Sequence, residues 1–334
     1  MAPTGRDEPQ GVGMTGPTPG AFGAWPGFRP DGGLRLEVPS ELMARPCSRV
    51  LESEGVRFHR KPEFHLTLLN RPLGAVLRGL LGEERIRSIF ADQDWMIRRT
   101  GEGHLLRKVE LDGTQSLACG SIIEQVGLSA LTAFRRALGS SAGMEVPDVL
   151  PHVTLYTAGH AAGIGLADMA SFEAARVARL RIPGVCNRHA PDLPTMLLQA
   201  YEATEFVIGE PAAILRVGHA SVAMDSAFRD NGTTHAIVVT ACNPFSETTD
   251  PRANELRRHM LRDELQRAGL PVCHAEGRDP AGVWPPEPGL LVFGTSRELE
   301  DRLLRDYEQH AIVVVEQGEP VGLALHPDHR ASRA

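Results

Sequence analysis

One four-residue pattern occurs twice in this chain and limits how it can fold. His65-Leu66-Thr67-Leu68 and His152-Val153-Thr154-Leu155 share the order histidine, apolar residue, threonine, leucine, and lie 87 positions apart. Each copy sits in an apolar run that is typical of a β-strand. Successive side chains of a strand point to opposite faces. The repeat therefore predicts two strands, each with an apolar face and a face carrying one imidazole and one hydroxyl.

Chance does not easily produce this repeat. With 13 histidines in the chain, about 0.7 matches to histidine-any-threonine are expected, but only about 0.03 to the full four-residue pattern. The competing interpretation is two ordinary strands, each with a histidine on its polar face. If the two strands are neighbours, their four polar groups can converge on one small anion.

Composition limits the classes of function. A length of 334 residues favours two domains, and 42% hydrophobic with 23% charged residues is ordinary for a soluble globular protein. A net charge of −7 and an aromatic content of 5% argue against extended duplex binding and against a base-stacking surface. A small phosphorylated ligand in a locally basic pocket remains compatible with these values.

Cysteines and apolar runs indicate the compartment. The cysteines are odd in number and lack C-x-x-C spacing, which predicts neither a zinc site nor a disulfide framework. We expect free thiols in a reducing cytoplasm. No membrane-spanning run and no secretory signal is recognisable, so we expect a cytoplasmic protein with no membrane partner. The cysteines are Cys47, Cys119, Cys186, Cys242 and Cys273.

Segments rich in proline and glycine mark the predicted domain boundaries. Residues 1–32 are rich in both and predict a disordered tail. Residues 33–182 form the first predicted domain, residues 183–200 a proline-bearing linker, and residues 201–326 a mixed α/β domain.

Secondary structure follows from periodicity and capping signals. In the first domain the pattern predicts strands at Leu34–Val38, Phe64–Leu69, Ser121–Val126 and Val153–Thr157, helices over 40–55, 72–81, 83–90, 129–139 and 168–179, and a strand pair of Trp95–Arg99 with Leu105–Leu111. In the second domain it predicts strands at Glu205–Ile208, Ala213–Val217, His235–Thr240, Leu290–Phe293, Ala311–Glu316 and Val321–Leu325, a helix from Pro251 that Gly269 ends, and a helix with a Thr295–Glu298 capping box. The order of elements around the motifs predicts an internal duplication.

Two histidines around a phosphate suit acid–base chemistry. A neutral imidazole takes a proton from water while a protonated one gives a proton to the leaving oxygen, and the pKa of imidazole suits both tasks. Threonine hydroxyls can donate to phosphate oxygens. This scheme needs no metal, and Glu63, Glu145 and Asp148 near the motifs do not form an obvious ligand set.

The paired motifs resemble those of the two-histidine (2H) phosphoesterase superfamily, which includes RNA 2′,3′-cyclic phosphodiesterases and 2′-5′ RNA ligase-like proteins. The resemblance covers residues 34–182 and implies a duplicated, bilobal α+β fold with a central cleft. It implies that His65 and His152 are catalytic and that Thr67 and Thr154 bind the phosphate, without saying which histidine is the acid. It implies no cofactor, and a nucleotide or RNA end as ligand.

Other polar residues are weaker candidates. Basic side chains near the motifs can help to bind phosphate, although a solvated surface charge is the alternative for each. These accessory candidates are Arg60, Lys61, Arg71, Arg107, Lys108 and Tyr156. The C-terminal part resembles an uncharacterised bacterial family of unknown function, in which Asn243, Asn254, Glu276, Arg278 and Glu287 can line a site or form turns.

Several functions therefore compete. The leading hypothesis is a metal-independent phosphoesterase acting on a 2′,3′-cyclic phosphodiester of a nucleotide or RNA end. The alternatives are a nucleotide- or RNA-end-binding module without turnover, a 2′-5′ RNA ligase-like enzyme, and a protein whose main activity lies in the C-terminal domain.

Overall fold

The chain folds into a mixed α/β structure built on curled antiparallel sheets. The computed structural model describes residues 20–21, 24–112, 115–185, 188–210 and 212–331. Cys186 and residues 1–19 of the predicted tail lie outside these ranges. In the described part, no helix is long and apolar enough to cross a membrane.

The N-terminal half contains a seven-stranded sheet and a separate two-stranded sheet. The larger sheet has the order β1-β6-β7-β8-β4-β3, with β9 also beside β6, and the smaller sheet pairs β2 with β5. The strands are β1 (Gly20–Ala21), β2 (Leu34–Val38), β3 (Val50–Ser53), β4 (Val56–Arg60), β5 (Phe64–Leu69), β6 (Met96–Asp112), β7 (Gln115–Gly127), β8 (His152–Ala158) and β9 (Arg176–Arg181). The helices are α1 (Arg71–Leu81), α2 (Glu83–Ala91), α3 (Ser129–Ala142) and α4 (Met169–Ala175).

Residues 40–55 do not form the predicted helix. Their second half is β3, which pairs with β4 in a hairpin whose turn is Glu54-Gly55. Both turn residues have positive φ, 52° and 73°, as a two-residue hairpin turn requires. The prediction was wrong because β3 is stabilised by pairing with β4, and helical periodicity over a short segment does not outweigh that pairing.

Three other local predictions are corrected. The strands predicted at Trp95–Arg99 and Leu105–Leu111 are parts of one long strand, β6, with an irregularity between Arg99 and Gly103 where it pairs with β7. The helix predicted over 168–179 ends at Ala175, because Arg176–Arg181 form strand β9 beside β6. The helix predicted over 129–139 runs on to Ala142 and ends at Gly143, whose φ is 65°. Ser129 is its first residue and not its cap, because the preceding Leu128 occupies the cap position without a side-chain hydrogen bond.

The predicted disordered tail is too long at its C-terminal end. Trp25 makes edge-on ring contacts with Phe28 at 5.9 Å and with Phe90 of α2 at 5.3 Å. Aromatic pairs at such distances add to the stability gained from burial. Trp25 and Phe28 therefore pack against the first core, which the proline and glycine content of this segment concealed.

The C-terminal half is built on a second seven-stranded antiparallel sheet, in the order β11-β10-β13-β14-β12-β15-β16. Its strands are β10 (Glu205–Ile208), β11 (Ala213–Arg216), β12 (His235–Val239), β13 (Val272–Arg278), β14 (Glu287–Phe293), β15 (Ala311–Glu316) and β16 (Gly322–Leu325). Its helices are α5 (Thr195–Ala203), α6 (Met224–Asp230), α7 (Pro251–Arg267), α8 (Arg297–Asp306) and α9 (Pro327–Ala331). Of the seven strands, β13 was not predicted, and α8 is capped by Ser296 in place of the predicted Thr295.

The two halves share packing through α7. Its residues Ala253, Leu256 and Met260 belong to the same hydrophobic cluster as the core residues of the motif strands. The predicted linker 183–200 is partly helical, since α5 begins at Thr195. Arg45 reinforces the contact with a 2.6 Å bond from its guanidinium to Asp306. The C-terminal half therefore completes the first core.

The two motif strands are not paired in the same way. Within the described residues the first, β5, pairs with β2 alone, whereas the second, β8, lies between β7 and β4. The strand pairing thus does not reproduce the duplication expected from the order of elements.

Candidate functional site

Both motif strands have the predicted alternation of buried and partly exposed side chains. Leu66 and Leu68 are 1% and 0% exposed, and Val153 and Leu155 are 0% and 1% exposed. The histidine and threonine of each motif are only partly buried. Each motif therefore turns its apolar residues into the shared core and its polar pair away from that core.

The structure brings the two motifs together. Strands β5 and β8 are in contact, and the backbone N–H of Lys61, just before β5, donates to the carbonyl of Leu155 in β8 at 2.9 Å. Protonation of His152 would disfavour protonation of His65, because each imidazolium lowers the pKa of the other imidazole. The two histidines therefore belong to one site.

His65 stands in a basic environment. Its pKa is lowered to about 4, first by burial and then by the charges of Arg35, Lys61, His152 and Arg29. Repulsion from neighbouring cations disfavours the protonated imidazole. The same cations create a positive potential that attracts an anion to this face.

His152 has a defined tautomer. Its Nδ1 lies 2.8 Å from the carbonyl oxygen of Leu150. Because a carbonyl only accepts, Nδ1 carries the hydrogen and Nε2 of the neutral ring carries the lone pair. Burial lowers the pKa of His152, so this imidazole is held neutral with Nε2 as a proton acceptor.

Cross-strand register identifies further residues of the site. On β2, Arg35 lies opposite Thr67 and Glu37 lies opposite His65, and directly opposed residues of an antiparallel pair share a face. On β7, Gln125 lies opposite His152. The alternation of Leu34–Val38 predicted that Arg35 and Glu37 share a face, but it could not predict their partner strand.

Arg135 of α3 holds the first motif strand against the segment that leads to the second. It is 2% exposed, and its guanidinium donates to the carbonyls of Leu68 and Pro147, each at 2.8 Å. A single buried side chain thus bridges the two polypeptide segments where they do not pair directly. The sequence offered no signal for this role beyond the amphipathic pattern of α3.

Of the accessory candidates, Lys61 lies at the site and two others turn away. The Lys61 ammonium donates to the carbonyl of Ala161 at 2.9 Å, and its charge lowers the pKa of His65. Arg60 donates instead to the carbonyl of Met43 at 2.6 Å. Tyr156 is 0% exposed and its hydroxyl donates to Ser48 at 2.9 Å. Tyr156 points into the core because β8 has one extra residue, Leu155, relative to β7, and the alternation of its side chains between the two faces reverses there.

The remaining accessory candidates lie elsewhere. Arg71 is the exposed first residue of α1. Arg107 packs over the ring of Phe58 at 5.1 Å, beside the β3–β4 hairpin. Lys108 is exposed and pairs in register with Cys119. This position lies beyond the Ala158 end of β8 and hence far from His152 at the other end.

The C-terminal polar set separates into two groups. The side-chain amide of Asn243 donates to Glu287 at 2.7 Å and that of Asn254 donates to Asn243 at 3.0 Å, which forms a compact network. Asn243 has a positive φ of 44°. Glu276 and Arg278 form their own ion pair at 2.5 Å on β13. Asn243 is therefore both a turn residue and a member of a polar network, as each of the two interpretations expected in part.

Comparison with known proteins is informative only for the C-terminal half. Residues 239–312 match a family described as protein of unknown function (DUF3293). This match includes most of the residues on which the sequence resemblance of the C-terminal part rested. No curated protein and no solved structure matches the chain significantly. Among the described residues, no group of three or more histidine, cysteine and acidic side chains is placed to hold a metal ion.

Proposed function

We propose that this protein is a metal-independent phosphoesterase of the 2H type, which hydrolyses a phosphodiester of a nucleotide or RNA end. The observation that carries the proposal is the contact between the motif strands β5 and β8, whose histidines are 87 positions apart in sequence, with Arg35 opposite Thr67 and Lys61 bonded to Leu155. Two imidazoles within a positive environment match the needs of phosphodiester hydrolysis.

His152 is the better general base. Its Nδ1–H is engaged by the Leu150 carbonyl, which leaves the Nε2 lone pair to accept a proton from water. Its lowered pKa keeps it in the neutral form that a base requires.

His65 is the better general acid once a phosphate is bound. In the free protein its pKa is about 4, partly because of Arg35 and Lys61. A phosphate anion neutralises those cations and favours the imidazolium, so the pKa of His65 rises when substrate binds. The proton on His65 is then available to the leaving oxygen.

Thr67 and Thr154 bind the non-bridging phosphate oxygens in this proposal. Within the described residues, neither hydroxyl makes a hydrogen bond to the protein, so both can donate to a ligand. Arg35, across from Thr67 on β2, adds a charged fork that matches the geometry of a phosphate.

The preferred substrate is a 2′,3′-cyclic phosphodiester on a nucleotide or short RNA end. The resemblance to 2H proteins supports the cyclic form. The net charge of −7 and the low aromatic content restrict the ligand to a short one, because long nucleic acids need many phosphate contacts or stacked bases.

A binding module without turnover is the second candidate. It is favoured by the lowered pKa of both histidines, because a site with two neutral imidazoles holds a nucleotide without a proton donor. The two candidates differ in one property: whether bound phosphate raises the pKa of His65 far enough to protonate it near neutral pH.

Hydrolysis of a small substrate panel tests the proposal. The panel is 2′,3′-cyclic nucleotides, ADP-ribose 1″,2″-cyclic phosphate and 2′-5′ linked oligonucleotides, with EDTA present. We expect turnover of at least one member, reduced about 10²–10⁴-fold by His65→Ala or His152→Ala. His59→Ala and His160→Ala, which remove nearby exposed histidines, are matched controls and should retain activity.

Two results would argue against the proposed metal-independent hydrolysis. Activity that disappears with EDTA and returns with a divalent metal would exclude the metal-independent scheme. Saturable nucleotide binding without product would support the binding module.

A further inference from the structure

A small pocket lies between α7 and the strand pair β13–β14, in the half that does not carry the histidine motifs. Its volume is about 100 Å³, which corresponds to about three water molecules and is smaller than a nucleotide site. Its apolar and backbone lining comes from Ala241, Leu261, Pro288, Gly289 and Leu290. All of its lining residues fall within residues 239–312, the segment that matches the family of unknown function.

The polar lining of this pocket is entirely basic or neutral. Arg258, His259 and Arg262 come from α7 and His274 comes from β13, and no carboxylate lines the pocket. Arg258 and Arg262 are four residues apart on one helix, and like charges at this spacing destabilise a helix slightly.

The two pocket arginines differ from their neighbours on the same helix. Arg252 forms a 2.8 Å ion pair with Glu54, and the buried Arg257 donates to three carbonyls. Within the described residues, Arg258 and Arg262 make neither a hydrogen bond nor an ion pair. Their guanidinium donors are therefore free to bind a ligand.

We infer that this pocket binds one phosphate-sized oxyanion, either as inorganic phosphate or as the phosphate group of a monoester. Two arginine forks match phosphate oxygens in charge and geometry. The imidazoles of His259 and His274 add ring N–H donors. The inference concerns the C-terminal half and does not depend on the proposed phosphoesterase activity.

Nuclear magnetic resonance of the full-length protein tests this pocket directly. The imidazole signals of His259 and His274, assigned with His259→Gln and His274→Gln, are followed while inorganic phosphate is added. We expect saturable shifts with a dissociation constant of about 1 mM or below. These two signals report only on this pocket, so phosphate bound near His65 does not confuse the result.

Charge variants then identify the ligands. The double substitution Arg258→Gln with Arg262→Gln should weaken phosphate binding at least about tenfold. Arg267→Gln removes one positive charge from the exposed last residue of α7, outside the pocket, and should leave the affinity unchanged. If the double variant does not fold, Arg262→Gln alone replaces it, since that side chain is exposed.

Two results would overturn the inference. One is the absence of saturable shifts at His259 and His274, and the other is an equal affinity for phosphate in the wild type and the arginine variant. Methyl phosphate, titrated in parallel, separates the sources of the ligand: tighter binding than inorganic phosphate assigns the pocket to an esterified group, and weaker binding assigns it to the free ion.

Discussion

The backbone N–H of Lys61 donates a 2.9 Å hydrogen bond to the carbonyl of Leu155. In antiparallel strands, moving forward along one is moving backward along the other. His65 follows Lys61 by four residues and His152 precedes Leu155 by three, so both histidines lie on the same side of this bond. This backbone contact ties the segment just before the first motif to the second motif strand, and the contact between β5 and β8 continues from there.

Removing the Arg35 charge should raise the pKa of His65. The positive charge of Arg35 contributes to holding that pKa at about 4, so Arg35→Gln makes protonation of His65 easier. The variant should also bind phosphate more weakly at the motif site. Titration of the His65 imidazole by nuclear magnetic resonance measures the first effect. Arg71→Gln, at an exposed position, is the control, and an unchanged His65 pKa in Arg35→Gln would contradict the assigned environment.

Two glycines of α1 should respond to alanine in opposite directions. A Cβ at Gly74 would lie 2.1 Å from the carbonyl oxygen of Gly32, whereas one at Gly79 would meet nothing within 4 Å. Gly74→Ala should therefore lower the free energy of unfolding by about 1–3 kcal/mol. Gly79→Ala should raise it by about 0.5–1 kcal/mol through helix propensity. Urea unfolding compares the two, and equal effects would mean that residue 32 does not pack on α1.

Arg257 should be essential for stability. It is 0% exposed and donates to the carbonyls of Ala241, Arg181 and Tyr307 at 2.7–2.8 Å. Arg257→Met leaves these buried carbonyls without donors and should lower the free energy of unfolding by about 3–5 kcal/mol. Arg267→Met on the same helix should change it by less than about 0.5 kcal/mol. Chemical denaturation measures the free energy of unfolding of both variants. A small loss of stability in Arg257→Met would show that other donors bond these carbonyls in its place.

Acid should destabilise the fold partly through His104. Burial lowers its pKa from 6.5 to about 4, so between these pH values the unfolded state binds more protons than the folded state. The stability contribution is therefore present above pH 6.5 and is lost as the pH falls toward 4. His104→Gln should reduce the stability difference between pH 7 and pH 5 by about 1–2 kcal/mol. Urea unfolding at both pH values tests this, with the exposed His160→Gln as a control that should keep the wild-type difference.

Local patterns predicted much of the secondary structure. The strand Leu34–Val38 and the strand Glu205–Ile208 have the predicted bounds. The helix from Pro251 begins after Asp250, whose side chain accepts from the N–H of Arg252 as a cap. These features depend on side-chain alternation and on residues close in sequence, which any window of the chain contains.

Pairing between distant segments explains the errors. Residues 50–53 form a strand only because residues 56–60 lie beside them. Tyr156 faces the core and not the side of β8 that carries His152 and Thr154, because β8 carries an extra residue relative to β7. His104, which lies between the predicted strands Trp95–Arg99 and Leu105–Leu111, is 3% exposed because the segment between them is part of one continuous strand.

The sequence by itself determined the face of each motif strand, because the alternation of side chains is a local property of the backbone. Only the tertiary structure decided which groups share the site. Arg35 reaches His65 through strand pairing across about thirty residues, and His152 reaches it through a contact between two sheets. Strand register and the contact between sheets depend on the packing of the whole core. They cannot be predicted from any single segment of the sequence.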